Sequence, residues 1–325
     1  MDKLPFEQAK REILLKKQAE TDPTLGSYPD KRTIPELLEK GVINLNKPKG
    51  PTSHMVADYT KKIFHAKKAG HGGSLDPGVT GVLPVGLNKA TGVMQALLTA
   101  GKEYVAIMHL HDDFSEQNIR KVMKDFVGEI TQLPPKKSAV RRVERQRRIY
   151  YLEILEIDKK DVLFKMGCQA GTYVRRICDD VGKRLGSGSH MAELIRTKAG
   201  PFQESFWVTL QDLEDAFAFY QEDGNDKFLR YCVKPMEFAV SHLPKIWILD
   251  NAVDTIAHGA PLHIPGIVKL HSGINTGDKI AIMTLKDELV ALATAEMPSE
   301  QILKQEKGLA AKSSRVLMDV GVYKT

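Results

Sequence analysis

The clearest alternation of hydrophobic and polar positions runs through KEYVAIMHL, where Tyr104, Ala106, Met108 and Leu110 share one face. This period of two residues predicts a β-strand. YYLEILEIDKKDVLFKMGC predicts two more strands joined by an Asp-Lys-Lys turn, and GVINLN predicts a short one. Because strands and helices mix without a regular βαβ repeat up to about residue 210, we expect an α+β domain with a mixed or antiparallel sheet.

Helical spacing of hydrophobic residues marks several of the segments between these strands. HMVADYTKKIFHA, SEQNIRKVMKDFVGEI and GTYVRRICDDVGKRL predict helices, the second with Ser115 as its N-cap. QDLEDAFAFYQED and KFLRYCV predict connecting helices further along the chain. At the N-terminus, Phe6, Ile13 and Leu14 have helical spacing among charges, and DPTLGSYPD then breaks any helix. The first segment is therefore predicted to be a helical arm.

From Leu243 the pattern changes to short strands separated by turn signals, as in KIWILDN, APLHIPGIVKL, GDKIAIMT and ELVALATAEM. This texture predicts a small β-rich domain. A length of 325 residues also favours two domains over one. We expect an N-terminal arm at residues 1–35, a first domain at 36–240 and a β-barrel-like domain at 243–325.

Composition narrows the class of protein further. Hydrophobic residues make up 42% of the chain and charged residues 27%, which is ordinary for a globular protein with real cores. No stretch approaches the roughly 20 apolar residues of a membrane helix, and the N-terminus lacks the apolar run of a signal peptide, so we expect a cytoplasmic protein. Cys168, Cys178 and Cys232 have no metal-binding spacing, which predicts neither a zinc site nor a disulfide framework.

Two basic clusters stand out against a net charge of +6. Lys67 and Lys68 precede a glycine-rich segment. The run KKSAVRRVERQRR holds seven more cations: Lys136, Lys137, Arg141, Arg142, Arg145, Arg147 and Arg148. A solvated charged face is the ordinary interpretation of such a run. Here prolines precede the run and two tyrosines follow it, which favours phosphate contacts with nearby stacking.

The glycine-rich segment GHGGSLDPGVTGVLPV holds a candidate catalytic carboxylate. Asp76 precedes a proline, so its backbone is extended and its carboxylate can project into a cleft. By itself an Asp-Pro pair is more often a turn, where aspartate bonds its own backbone. His71 in the same segment would also more often be structural. These two residues alone therefore leave function open.

Six motifs taken in order resolve that ambiguity. KAGHGGSLDPGVTGVLPV resembles the catalytic motif of TruB/dyskerin-type pseudouridine synthases, and NLNKPKGPTSH resembles the motif that precedes it in that family. KEYVAIMHL, LPPKKSAV, GTYVRRICDDVG and MAELIRTKAGPF resemble four further family motifs. The matches span residues 42 to 202 in the expected order, and six ordered matches make coincidence an unlikely explanation.

The resemblance implies a role for each matched residue. Asp76 would be the nucleophilic or electrostatic carboxylate, and Arg175 would pair with it and keep it ionised. Tyr104 would stack on the target base and serve in proton transfer. The remaining substrate contacts would come from His71, Leu194 and Lys47. The reaction needs no cofactor and no metal, and whether Asp76 attacks C1′ or C6, or whether a glycal forms, stays open.

The resemblance also implies partners. The segment after Leu243 looks like a PUA domain, an RNA-binding fold onto which the arm would pack. The chain lacks the Thr-Asp-x-x-Asp-x-x-Gly stretch of bacterial TruB and the lysine-rich tails of eukaryotic relatives, so it resembles archaeal dyskerin homologues most. These take an H/ACA guide RNA, a small zinc-ribbon protein, a small β-barrel protein and a kink-turn-binding protein.

Two substrate classes stay open, namely the T-loop uridine 55 of tRNA and guide-selected sites in rRNA. A non-catalytic RNA-binding scaffold of a ribosome-biogenesis particle is the alternative, and a translation or ribosome-assembly factor ranks third. Asp76, Tyr104 and Arg175 together argue against both. One departure from the family is Ser74 after Gly73, where relatives often have threonine; both side chains are small and carry a hydroxyl group.

Overall fold

The computed structural model describes residues 3–134, 141 and 143–324. The strands are β1 Ile13–Leu15, β2 Gly41–Lys47, β3 Ala69–His71, β4 Thr80–Leu87, β5 Lys102–Leu110, β6 Gly128–Gln132, β7 Arg145–Asp158, β8 Asp161–Cys168, β9 Ser189–Ala199, β10 Phe202–Gln203, β11 Val233–Pro235, β12 Lys245–Ile248, β13 Leu262–His263, β14 Ile267–His271, β15 Lys279–Met283, β16 Leu289–Ala295 and β17 Leu309–Val316. The α-helices are α1 Pro5–Gln8, α2 Ile34–Glu39, α3 Ser53–Ile63, α4 Gln95–Leu98, α5 Glu116–Lys124, α6 Val174–Leu185, α7 Leu210–Asp223, α8 Lys227–Cys232, α9 Asp250–Ala257 and α10 Ser299–Lys304. None of these helices has the length and apolar character that crossing a membrane requires.

The larger of two sheets holds the predicted catalytic motifs. Its strands run in the order β11-β2-β4-β9-β5-β8-β7-β6, with β10 paired to β9 and β3 paired to β4. The sheet is mixed, because β4 pairs in parallel with β9 while the other neighbours are antiparallel. In that parallel pair Thr80 lies opposite Ile195, and Gly81 lies opposite Arg196. The segment just before β4 is thereby brought beside β9. A mixed α+β architecture was predicted and is confirmed.

The smaller sheet gathers the C-terminal strands in the order β1-β14-β12-β15-β16-β17-β13. Its core is built from aliphatic residues such as Ile246, Ile256 and Ile282, all of them buried. A strand from the N-terminus, β1, forms one edge of this sheet by antiparallel pairing with β14. The two ends of the chain therefore share one sheet.

Several predicted elements are confirmed. The alternating segment forms β5, in which Ala106, Met108 and Leu110 are buried as expected for one inward face. Ser115 caps α5, and its Oγ accepts a hydrogen bond from the backbone N–H of Asn118 at 3.3 Å. The three cysteines are buried thiols, and burial raises the pKa of Cys168 to about 12.

Other predictions about local structure were wrong. The arm is not one helix: α1 ends at Gln8, and Ile13–Leu15 is a strand. Leu14 packs into the core of the smaller sheet, so pairing with β14 overrides the local helical spacing. The helix predicted through FVGEI stops at Lys124 instead, and Gly128, with φ +113°, begins strand β6. Helix α9 and strand β17 were not predicted at all.

The segment after β1 follows the C-terminal sheet closely. The hydroxyl of Thr21 and the backbone N–H of Asp22 both donate to the carboxylate of Asp250, at 2.9 and 2.8 Å. Lys286 Nζ donates to the carbonyl of Asp22 at 2.8 Å. Residues nearer the N-terminus lie elsewhere, since the Glu7 carboxylate meets Lys198 of β9 at 3.0 Å. The domain boundaries themselves stay a prediction.

Candidate active site

Asp76 lies in a loop between two antiparallel strands, β3 and β4. The backbone N–H of Gly72 donates to Pro84 at 2.8 Å as the loop leaves β3, and the Val79 N–H closes a turn onto the carbonyl of Asp76 at 3.0 Å. Gly73 has φ +134°, a conformation that an L side chain rarely adopts. The loop is thus fixed at both ends, and the Asp76 side chain remains 66% exposed at its tip.

The carboxylate of Asp76 has one cationic partner among the described residues. Arg175 Nη2 donates to Asp76 Oδ2 at 3.0 Å, although the two residues lie 99 positions apart in the chain. Arg175 is in the first turn of α6, and Gln132 fixes the residue before that helix. The Gln132 side-chain amide accepts from Tyr173 N–H at 3.0 Å and donates to Tyr173 C=O at 3.2 Å. The predicted pairing of Asp76 with Arg175 is therefore present in the geometry.

Tyr104 stands on β5, opposite Arg196 of the neighbouring β9. Its ring is partly exposed, and burial raises the pKa of its phenol, while the nearby Arg196 charge acts in the opposite direction. Leu194 lies two residues before Arg196 on β9, opposite Ala106. Tyr104 and Leu194 pack against the same hydrophobic core, so one face of the β5–β9 pair presents both side chains beside the loop.

His71 ends β3 and is half-buried. Burial lowers the pKa of its imidazole, and the positive charges of Arg196 and His54 act in the same direction. Its Nδ1 atom is buried without a hydrogen-bond partner in the part of the chain that the structure describes. A neutral imidazole near the loop suits contact with a base better than contact with a phosphate. Its role as a substrate contact stays a prediction.

Lys47 occupies a different place from the substrate-facing one that was predicted. Its side chain is fully buried, and its Nζ donates to the carbonyls of Pro48 and Val79 at 2.9 Å and of Pro77 at 3.3 Å. Burial lowers the pKa of this amine, and the Asp76 charge opposes that effect. Because its ammonium group donates all of these hydrogen bonds to backbone carbonyls, Lys47 stabilises the loop after Asp76. A surface pocket of about 480 Å³ adjoins this lysine, but neither Asp76 nor Tyr104 lines it.

Sequence reasoning missed two residues that hold the loop. Ser53 Oγ donates to the carbonyl of Leu75 at 3.1 Å and accepts from the Leu75 N–H at 2.8 Å, which fixes the residue before Asp76. Arg196 is buried beneath the loop and donates to the carbonyl of Gly73 at 3.0 Å. A signal for Arg196 existed, because a period of two places it on the same strand face as Leu194.

The structure brings only part of the basic set near the site. Arg145, Arg147 and Arg148 lie on β7, and the guanidinium of Arg147 lies against Gly171, shortly before α6. Arg141 is exposed just before β7. Lys136, Lys137 and Arg142 lie outside the described residues.

Lys67 and Lys68 are exposed near the opposite end of the sheet. They precede β3, whose first residue, Ala69, lies opposite Leu87 at the far end of β4 from Asp76. The length of β4 places these lysines roughly 20 Å along the strand from its beginning. The geometry therefore does not bring them to the Asp76 loop.

Known protein families match most of the chain. The model described as the TruB family pseudouridylate synthase N-terminal domain matches residues 61–118 and 111–174, and the tRNA pseudouridylate synthase B C-terminal domain matches 175–241. A relative from Methanopyrus kandleri named "Probable tRNA pseudouridine synthase B" is 53% identical over 99% of this chain and 95% of its own length. The chain belongs to the TruB family of pseudouridine synthases. It is an isomerase, and the predicted resemblance is confirmed.

Further matches refine its position within the TruB family. The PUA domain model matches residues 244–317, and the DKCLD (NUC011) model matches residues 2–57. A Pyrococcus horikoshii relative with the same name is 58% identical over 95% of this chain and 93% of its own length.

Solved structures give the same answer. A chain in a crystal structure of a Cbf5-Nop10-Gar1 complex is 54% identical, with a TM-score of 0.95 over 99% of this chain and 98% of that one. A chain in an H/ACA ribonucleoprotein bound to a substrate RNA containing 2′-deoxyuridine is 52% identical, with a TM-score of 0.92 over 99% of each chain. The fold is therefore that of an archaeal-type pseudouridine synthase with a PUA domain.

Proposed function

We propose that this chain isomerises uridine to pseudouridine in tRNA, at the T-loop uridine 55, and in rRNA as the catalytic subunit of an H/ACA guide ribonucleoprotein. One observation carries the proposal. The exposed Asp76 carboxylate is held 3.0 Å from Arg175, at the tip of a loop whose backbone is fixed by Ser53 and Lys47. The relatives' names support the tRNA substrate, and the H/ACA structures support the guide-dependent one.

The reaction exchanges one glycosidic bond for another within a single nucleoside. The bond from ribose C1′ to uracil N1 breaks, a bond from C1′ to C5 forms, and the proton on C5 leaves while N1 gains one. An ionised carboxylate beside the sugar and pyrimidine carbons can stabilise or trap the electrophilic centre that forms when the first bond breaks. Asp76 is the residue we propose for that role. Arg175 would keep the carboxylate charged as RNA covers it and excludes water.

Tyr104 would serve as the stacking surface for the flipped uracil. A uridine inside folded RNA must leave its stack, at a cost of a few kcal/mol that an aromatic ring can offset. Tyr104 would also serve in proton transfer; burial raises the pKa of its phenol, so the phenol is protonated when the RNA binds at neutral pH. Leu194, on the same strand face, would pack against the uracil edge, and His71 would hold the flipped conformation.

RNA backbone contacts would come mainly from the cations of β7. Arg145, Arg147 and Arg148 share this strand, and Arg147 lies next to the segment that leads into Arg175. Guanidinium groups suit phosphate oxygens because they present several N–H donors in one plane. Lys67 and Lys68, at the far end of β4, would contact more distant parts of the RNA. The PUA domain at 243–325 would bind RNA as well, with residues 1–35 as an arm packed against it.

Protein partners are proposed by analogy with the similar structures. Those structures are complexes with Nop10 and Gar1, which supports small accessory proteins for this chain too. We propose that they comprise a zinc-ribbon protein, a small β-barrel protein and a kink-turn-binding protein, in the cytoplasm of an archaeal cell. Neither a cofactor nor a metal is required by the chemistry, since no electron or group is transferred to another molecule.

Tritium release tests the proposal. Transcripts of tRNA and of rRNA fragments labelled with tritium at uridine C5 would be incubated with the wild-type protein or with Asp76→Asn, with and without guide RNA and accessory proteins. Wild type should release tritium from tRNA without a guide and from rRNA only with one, and Asp76→Asn should release none. A tRNA transcript with cytidine in place of uridine 55 would control for the site. Release by neither protein would favour the scaffold alternative.

A further inference from the structure

Arg196 is buried to an extent that is unusual for an arginine. Only 1% of its surface is exposed, and within the described residues it forms no ion pair with a carboxylate. Buried charges are costly unless their hydrogen bonds are satisfied. Its guanidinium donates to the carbonyls of Val82 at 2.7 Å, Gly73 at 3.0 Å and Ser74 at 3.3 Å. Two of these three acceptors lie in the loop that carries Asp76.

The backbone around Arg196 is pressed against the same loop. Gly81, at the start of β4, has φ +107°, and a Cβ atom there would lie 2.3 Å from the carbonyl oxygen of Arg196. No side chain fits in that gap, so β4 can approach β9 only with glycine at this position. The loop and β9 are therefore joined at both the backbone and the side chain of Arg196.

Arg196 is also a neighbour of Tyr104, the second residue proposed to act on the substrate. Tyr104 lies directly opposite Arg196 in the β5–β9 pairing, and the positive charge of Arg196 lowers the pKa of the Tyr104 phenol. Burial and neighbouring charges act on the pKa of this phenol. Burial raises it most, Cys168 and Asp76 raise it further, and the positive charge of Arg196 lowers it. Arg196 thus donates hydrogen bonds to the loop that carries Asp76 and lies opposite Tyr104 in the strand pairing.

We propose that Arg196 is a positioning residue for the isomerisation, holding the Asp76 loop and the Tyr104 phenol in register with each other. The inference rests on the proposed function, and it adds a residue to which neither the sequence motifs nor the pairing with Arg175 had given a role. Because Arg196 is buried, it does not touch the RNA. Substitution of Arg196 should therefore lower kcat and leave the affinity for RNA unchanged.

The chain offers a matched control for Arg196. Lys102 is another buried basic residue, 5% exposed, and its Nζ donates to the carbonyls of Leu97, Leu98 and Ala100. It resembles Arg196 in burial and in bonding to three carbonyls, but these carbonyls lie outside the Asp76 loop. Loss of stability from an unsatisfied buried site should therefore be similar in the two variants, whereas loss of catalysis should not.

The experiment uses the full chain with saturating tritiated tRNA in multiple-turnover reactions, which measure kcat. Arg196→Gln keeps hydrogen-bond donors but removes the charge, Arg196→Lys keeps the charge but cannot reach three carbonyls, and Lys102→Gln is the control. We expect kcat to fall about a hundredfold in Arg196→Gln and about tenfold in Arg196→Lys. Lys102→Gln should stay within about threefold of wild type. The Kd for tRNA should be the same in all four proteins, which also verifies folding.

Two readouts do not depend on turnover. Backbone amides at residues 74–79 should exchange with deuterium faster in Arg196→Gln than in wild type or in Lys102→Gln. With 3-fluorotyrosine at position 104, fluorine NMR should show that the phenol titrates at higher pH in Arg196→Gln than in wild type. The reason is that the positive charge of Arg196, which lowers the phenol pKa, has been removed.

The outcomes separate this inference from the proposed function. An active wild type with wild-type kcat in Arg196→Gln would overturn the positioning role and leave the function standing. Equal losses of kcat in Arg196→Gln and Lys102→Gln would also overturn it, since the cause would then be general destabilisation. A wild type that releases no tritium from any RNA would contradict the proposed function, while the exchange and fluorine readouts would still test the contacts of Arg196.

Discussion

Two arginine–carboxylate pairs in this chain have the same chemistry and opposite surroundings. Asp76 and Arg175 meet through one bond of 3.0 Å, with 66% and 58% of their side chains exposed. Glu237 and Arg32 meet through two bonds of 2.8 Å, with 10% and 3% exposed. The buried carboxylate also accepts the backbone N–H of Leu289 at 3.0 Å, so its hydrogen-bonding capacity is nearly full.

The difference teaches which pair is available for chemistry. A carboxylate with unused lone pairs at the tip of a braced loop can meet a substrate carbon, and an exposed ion pair contributes only about 0 to 1 kcal/mol to stability. The buried pair joins the N-terminal segment, the linker before β12 and strand β16, and it cannot reach a substrate. We therefore assign reactivity to the first pair and structural integrity to the second.

The largest expected effect is on the exposed pair. Asp76→Asn keeps the size of the side chain and removes the nucleophilic or stabilising charge, so single-turnover tritium release should fall by more than about a thousandfold. Thermal unfolding should change by no more than the value of an exposed pair, about 1 kcal/mol. A variant that retains more than a tenth of wild-type activity would contradict the assignment of Asp76.

The buried pair should respond in the opposite manner. Glu237→Gln removes the only carboxylate that forms an ion pair with the buried Arg32 among the described residues and leaves the weaker influence of Glu288 and Glu36, so the free energy of unfolding should fall by about 3 kcal/mol. Urea titration followed by circular dichroism measures this loss. Activity per folded molecule, measured at a temperature where the variant is folded, should stay near that of wild type. A stable but inactive variant would mean that the buried pair also serves catalysis.

A buried histidine, His242, extends the comparison to the pH dependence of stability. Burial lowers the pKa of His242 to about 4, and the charges of Arg11 and Lys102 act in the same direction. The unfolded chain therefore binds this proton more readily than the folded one. Above pH 6.5 the neutral His242 ring makes its full contribution to the free energy of unfolding. This contribution, roughly 3 kcal/mol, is lost as the pH falls from 6.5 towards 4.

The test is a pair of stability curves between pH 4 and pH 7. His271 has a pKa lowered to about 4 as well, so wild type and His242→Gln must be compared rather than wild type alone. The variant should lose less stability than wild type on acidification. Parallel curves would contradict a neutral, buried His242.

The smallest expected effect concerns the partner of Asp76. Arg175→Lys keeps a positive charge on α6 but loses the planar geometry of the guanidinium, so kcat should fall about tenfold. The free energy of unfolding should change by less than about 1 kcal/mol, as for any exposed pair. Rate measurements across pH would check this, and a rate equal to that of wild type would remove Arg175 from the mechanism.

Sequence patterns correctly predicted the elements in which local sequence preference and tertiary packing favour the same secondary structure. Strand β5 shows a period of two in its sequence, and its inward residues Ala106, Met108 and Leu110 are buried. Ser115 caps α5 because a hydroxyl before a helix satisfies a free N–H, and that chemistry is local. The prediction of a helical arm was wrong for the opposite reason. Ile13–Leu15 forms a strand by pairing with the edge of β14, a partner that is distant in the sequence.

The sequence likewise predicted only part of the candidate site. Motif resemblance named Asp76, Arg175 and Tyr104, and it assigned Lys47 a substrate contact. The hydrogen bonds of Lys47 instead end on the carbonyls of the loop, a fact that depends on the three-dimensional path of the chain. Ser53 was missed because a hydroxyl that holds a backbone leaves no signal in the sequence, and Arg196 was missed although its strand period places it on the same face as Leu194. Residue types that touch substrate are easier to infer than those that hold the loop.

The most direct test compares the two pairs in one experiment. Asp76→Asn and Glu237→Gln make the same change, a carboxylate to an amide, and each would be measured for tritium release per folded molecule and for the free energy of unfolding. We predict that Asp76→Asn loses catalysis and keeps its stability, while Glu237→Gln loses stability and keeps its catalysis. If both variants lost activity only in proportion to unfolding, the assignment of Asp76 as the reactive carboxylate would be contradicted.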